Sequence, residues 1–131
     1  MIGDPQSGWP LYPLYNFVRL TTATVTRGWS VVGVDSVPDT RLVTAYAGKS
    51  GQRTLVGLDT AGAQLNAASA TPVTYTIGGL PPSKQLHLAI WNEAGDGLVR
   101  PSHVVRADAA GVVAISAPQQ AVFVLTTSRL P

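Results

Sequence analysis

The sequence predicts an all-β fold: an antiparallel two-sheet β-sandwich of about eight strands, preceded by an extended arm and one short helix. Three observations predict it. From Trp29 onward the apolar residues alternate with period two, the spacing of a strand with one buried face. Clusters of Gly, Pro, Asp and Asn (VPDT, GKSG, GGLPPSK, NEAGDG, DAAG) interrupt the apolar runs at short intervals. The 131 residues hold no cysteine, and a chain of this length buries a core without a disulfide or thiolate metal staple.

Residues 1–27 read as a linker or arm with a short helix, and 28–131 as the sandwich domain. Residues 1–13 carry three prolines and two glycines, the composition of an extended segment. Leu14, Phe17, Val18 and Thr21 fall at helical spacing, which predicts a helix over Tyr12–Thr22. The TTATVT tail opposes its continuation, because branching at Cβ restricts χ1 in a helix. Strands are then expected at Trp29–Asp35, Arg41–Ala47, Arg53–Asp59 and Pro72–Ile77. Four more follow at Gln85–Asn92, His103–Ala107, Val112–Ala117 and Ala121–Thr127. The runs WSVVGV and AVFVLT are apolar on both faces, which places both centrally or under a covering element. DAAG at 108–111 reads as a tight hairpin between its flanking strands, with Gly111 at the position that needs positive φ.

Charge narrows the function classes. Charged residues make up 12% of the chain, the net charge is +2, and its seven arginines are scattered singly. A nucleic-acid binder carries a basic stripe or patch, so no nucleic-acid partner is expected. No apolar run is long enough to span a bilayer, so no membrane partner is expected either. The N-terminus lacks the basic start and apolar core of a signal peptide, and an extracellular location is expected with that signal outside this chain.

Catalytic patterns are missing. His87 and His103 lie on different strands with no third ligand near in sequence, so no metal site is expected. Glu93 is the single glutamate and shares the turn NEAGDG with Asp96, where exposure removes the burial that raises a general acid's pKa. Asn92, Glu93 and Asp96 offer oxygens to Ca²⁺ without the EF-hand spacing, and no cofactor is expected. No G-x-S-x-G elbow or phosphate loop is present. Aromatic residues remain. A sugar ring stacks its apolar face on an aromatic plane while polar neighbours bond its hydroxyls. Trp91, His87 and Asn92 form such a patch on one strand, with Tyr46 and Trp9 as further candidates. Tyr75 and Trp29 are expected in the core or at a seam.

The order PLYNFVRL, GWSVVGV, TPVTYTIGGL, LHLAIWNEAGDG and PQQAVFVLT resembles a glycoside hydrolase domain. That domain is the C-terminal β-sandwich that follows the (β/α)₈ barrel in several families. Pro13–Leu20 is similar to the P-x-Y-x-x-x-R-L helix of those enzymes, and Pro118–Thr126 to their closing strand. The resemblance implies a non-catalytic accessory domain, because the family's catalytic glutamates lie in the barrel and none carries over to this chain. It implies a carbohydrate-binding module that takes a plant or microbial polysaccharide. The alternative is a structural domain that braces a neighbouring catalytic barrel, with an apolar patch from Trp9–Val18 that drives self-association when alone.

Overall fold

The computed structural model describes residues 13–60, 72–91 and 103–130, with the helix side chains from Val18 onward. Helix α1 spans Pro13–Thr24, two residues past the expected stop at Thr22. Packing on the sheet accounts for the extension, since Thr24 is buried and its carbonyl accepts a bond from Thr54 at 2.9 Å. Thr21, Thr22 and Thr24 turn their hydroxyls back onto carbonyls three or four residues earlier, at 2.8–3.3 Å. Hydroxyl groups that would otherwise compete with the helix ladder are used inside it.

Eight strands follow among the described residues: β1 Ser30–Val32, β2 Arg41–Ala47, β3 Arg53–Asp59, β4 Pro72–Ile77, β5 Gln85–Trp91, β6 His103–Arg106, β7 Val113–Pro118 and β8 Val122–Thr126. They form a six-stranded sheet ordered β1-β2-β3-β8-β5-β6 and a two-stranded sheet β4-β7. Every pairing is antiparallel. The expected bounds of β2, β3 and β4 are those observed.

Two of the expected placements need correction. WSVVGV is not central. β1 is a three-residue edge strand with all three residues exposed, since Gly33 and the segment leading to Pro38 leave the sheet. DAAG is a turn, but not a hairpin. It carries the chain from β6 in the large sheet to β7 in the small one. The Asp108 carboxylate accepts the N–H groups of Ala110 and Val112 at 2.8 and 2.9 Å, an Asx-type closure. Gly111 has φ +75°, and a Cβ there would collide with the Leu80 carbonyl oxygen. The two corners are therefore in contact, and Leu80 N–H bonds the Gly111 carbonyl at 3.1 Å.

Alternation divides the large sheet into two faces. One face meets the small sheet: Ala45, Leu55, Leu86, Leu88, Phe123 and Leu125 bury against Tyr75, Val113, Ile115 and Ala117. Phe123 stands opposite Gly57 across the β3–β8 pair. A Cβ at Gly57 would lie 2.9 Å from the Phe123 ring, so only glycine admits the ring there. Phe123 then tilts against Tyr75 with ring centres 4.7 Å apart, an edge-to-face type of contact. The other face carries α1, whose Leu20 buries against Ala89 and Val124. β8, the AVFVLT strand, is buried at every residue, as a central strand covered on both faces requires.

A chain of hydroxyls fastens the helix. Thr24, Thr54 and Thr126 are all fully buried. Thr54 Oγ1 donates to the Thr24 carbonyl at 2.9 Å, serving a last-turn carbonyl that has no partner within the helix. That bond uses Thr54's one proton, so in the 2.8 Å pair with Thr126 Thr126 is the donor. Thr126 Oγ1 in turn accepts the Ser128 N–H at 3.0 Å. The relay runs Ser128 to Thr126 to Thr54 to Thr24 in one direction.

Thr54→Val is expected to cost about 1–3 kcal/mol, the penalty for leaving a buried carbonyl and hydroxyl unpartnered. The Thr54→Val/Thr126→Val double variant is expected to cost less than the two single changes summed, because they share one bond. Urea unfolding of the three variants checks both expectations.

Candidate functional site: the helix-bearing face and the cleft between the sheets

Registers place the sequence-predicted residues on the helix-bearing face. Val31 pairs with Tyr46, Tyr46 with Thr54, Thr54 with Thr126, Thr126 with His87, and His87 with Val104. Tyr46 and His87 therefore share one row. They stand three strand spacings apart, about 14 Å, on either side of the Thr54–Thr126 pair that α1 covers. Both side chains are half-buried. His87 does face away from Leu86 and Leu88, as the alternation implies, and Trp91 shares its side.

Trp91 does not present an open ring. It is 6% exposed, beside Val122 in the β5–β8 pair, on the face that α1 covers. A sugar ring needs an accessible indole plane, so the expected exposed platform is not found at this residue. Trp9 and Asn92 lie outside the described residues, as do Glu93 and Asp96. Tyr75 is core, as expected. Trp29 is half-buried and sits against Gly48, where a Cβ would lie 2.5 Å from its ring.

The same face holds apolar side chains in the open. Val31 is 69% exposed, Leu42 60% and Val104 58%. Leu42 stands opposite Leu58 in the β2–β3 register. These residues flank the helix on both sides rather than surround an aromatic plane.

A second feature was not singled out from the sequence. Between the two sheets, beside β4, lies a cleft of about 460 Å³. At its edge Arg41 Nε donates to Asp59 Oδ2 at 3.0 Å, and Asp59 is buried. The Arg41 guanidinium also stands 4.8 Å from the centre of the Tyr75 ring, within cation–π range. The signal for this cluster was available. Pairing β2 and β3 through the GKSG turn sets Arg41 opposite Asp59. Tyr75 is 3% exposed, and its hydroxyl lies near the Asp59 backbone without a hydrogen bond of good geometry. Burial, and then the nearby Asp59 charge, push its phenol above the ordinary value, while Arg41 pulls it the other way.

The arrangement holds charge without aiming it. Asp59 is committed to Arg41, and no group of three or more His, Cys, Asp or Glu side chains gathers as a metal set among the described residues.

No family model matches the chain, and no curated protein sequence matches it. Solved structures do match by fold. The chain is similar to a glycoside hydrolase family 30 endoxylanase from Clostridium papyrosolvens, with a TM-score of 0.65 at 12% identity, over 92% of this chain and 28% of that one. It is similar to a family 30 subfamily 8 xylanase from Clostridium acetobutylicum, with a TM-score of 0.67 at 16% identity, over 95% of this chain and 30% of that one. A bifunctional glucanase-xylanase from a metagenome library matches at 0.51 and 16% identity, over 72% of this chain and 16% of that one. The chain thus spans less than a third of each enzyme's length, and what these likenesses show is a shared fold.

Tyr75 sets a pH expectation. Its folded pKa lies above the unfolded value of about 10, so above pH 10 the folded state holds a proton that the unfolded state releases. Stability from this residue is therefore complete below pH 10 and is lost as pH rises through the folded pKa. Tyr75→Phe keeps the ring and removes the titration. Its unfolding free energy is expected to fall less between pH 9 and 11.5 than the parent's, as followed by urea unfolding across that range.

Proposed function

We propose that this chain is a non-catalytic accessory β-sandwich of a glycoside hydrolase, and that its helix-bearing face packs against the catalytic domain. The observation that carries this reading is the placement of Val31, Leu42 and Val104, each more than half exposed, on the face that α1 already occupies. Scattered apolar residues on a monomer are ordinary, whereas several on one face flanking a docked helix mark a contact surface. The fold match supports it, because the chain corresponds to 28% and 30% of two larger xylanase chains. An extracellular setting goes with the same reading.

A second reading is polysaccharide binding. Its support is the row that holds Tyr46 and His87 half-exposed on one face. Their separation suits an extended glycan better than a single sugar, and the covered Trp91 weakens it. On balance the geometry favours docking.

The test places charges where contact is expected. Val31→Asp with Leu42→Asp, at positions exposed in the free chain, is expected to leave this domain folded. In the polypeptide that carries the catalytic barrel, the same pair is expected to lower the barrel's Tm by several degrees. An unchanged Tm would overturn docking. Retardation of the free chain in a xylan, mannan or β-glucan gel, abolished by Tyr46→Ala, would establish the second reading in its place.

A further inference from the structure

Among the described residues the two sheets are unequal, with six strands facing two, and the difference has a location. The cleft is walled on one side by Tyr75–Leu80 and on the other by Val32–Pro38, over a floor of Val43, Ala45 and Leu55. No residue of β7 lines it. The cleft therefore runs along the edge of β4 that faces away from its one strand partner. No described strand lies on that side of β4.

No described residue pairs with that edge. Edge strands are ordinarily blunted by charged side chains, by bulges or by being very short. In the large sheet β1 is only three residues long, and β6 carries Arg106 and His103. β4 has neither protection. Its six-residue ladder with β7 is continuous from Pro72↔Pro118 to Ile77↔Val113, with no bulge. No charge occurs from Pro72 through Leu80, and only Pro72, at the strand's start, interrupts its donors.

The lining selects the occupant. Backbone N–H and C=O groups that no described residue pairs call for another backbone. An aliphatic floor beside them calls for apolar side chains at every second position. A sugar is the poorer fit, because the lining ring of Tyr75 is 3% exposed, packed by Phe123 and overlaid by Arg41, so it offers no stacking plane. Charge adds one more term. Arg41 is committed to Asp59, whereas the Arg53 guanidinium donates to the Gln52 carbonyl at 2.8 Å and pairs with no carboxylate among the described residues.

We propose that the cleft binds an extended polypeptide segment as a third strand on β4. The segment alternates apolar and polar residues and carries a carboxylate that meets Arg53. This proposal concerns a different surface from the helix-bearing face and stands whether or not that face docks a catalytic domain.

Hydrogen exchange on the intact 131-residue chain tests it. The probe is a synthetic peptide of about eight residues that alternates Val and Thr and ends in Glu. The control is a Ser/Thr peptide of equal length. The Val/Thr peptide is expected to slow exchange of those 73–77 amides that point away from β7 by at least about tenfold. Val34→Asp, an exposed change on the far wall, is expected to weaken the effect about tenfold, and Val104→Asp, on the opposite face of the large sheet, to leave it intact. Thermal unfolding of both variants confirms that they fold. Three results would overturn the proposal: no slowing at millimolar peptide, equal slowing by the control, or protection by xylohexaose instead of peptide.

Discussion

The relay from Ser128 through Thr126 and Thr54 to the Thr24 carbonyl is the constraint on which the rest of the structure leans. It joins the end of the helix to the two most central strands at one buried point. Besides it, Leu20 is the buried apolar side chain described on α1 that packs on the sheet, where it covers Val124 and Ala89. A sheet that is apolar on both faces needs two coverings, and this protein supplies them by different means. The small sheet covers one face through aromatic and aliphatic packing. The helix covers the other through a few side chains and a directed line of hydroxyls. Because Thr54 has one proton to give, the line has a fixed direction, and each member depends on the next.

The opposite face has its own polar point. Arg41, Asp59 and Tyr75 meet where the small sheet stops, and the ion pair lets a carboxylate remain buried beside an aliphatic cleft. Charges taken out of water need partners of good geometry, and the register of β2 and β3 provides one. The face of Tyr75 is packed by Phe123 and Arg41, and its hydroxyl lies near the Asp59 backbone. The cluster also marks the boundary between the complete part of the sandwich and the part where, among the described residues, one sheet outruns the other.

Most of the fold was legible. β2, β3 and β4 follow alternation bounded by turn residues, and the Leu86–Leu88–Ile90 pattern assigned the faces of β5. The core position of Tyr75 followed from Val73 and Ile77 beside it. The misreadings share a cause, which is that composition does not report what lies above a strand. WSVVGV and AVFVLT look alike, yet one is an exposed edge and the other the centre, because order in the sheet is set by distant pairing. DAAG has the chemistry of a tight turn, but chemistry of that kind does not say whether the next strand joins the same sheet. Threonines in the helix tail oppose helix by propensity, and burial of Thr24 on the sheet with the Thr54 bond to its carbonyl overrides it. The candidate ligand residues were the least legible of all. Trp91 and His87 alternate correctly onto one face, but the helix that covers that face is encoded some sixty residues earlier.

The order of strands has a consequence for how the protein comes to be. β8 is the last of the described strands and central in the sheet, between β3 and β5. Its pairing with β3 brings Thr54 to Thr126, a separation of 72 residues. Until β8 is available, β1-β2-β3 and β5-β6 are two unconnected fragments, and the helix has no Val124 or Thr126 to sit on. Assembly must therefore wait for the final strand and then close both layers together. A topology so dominated by distant pairings folds slowly, and an incomplete chain exposes the unfinished edges of both halves to aggregation.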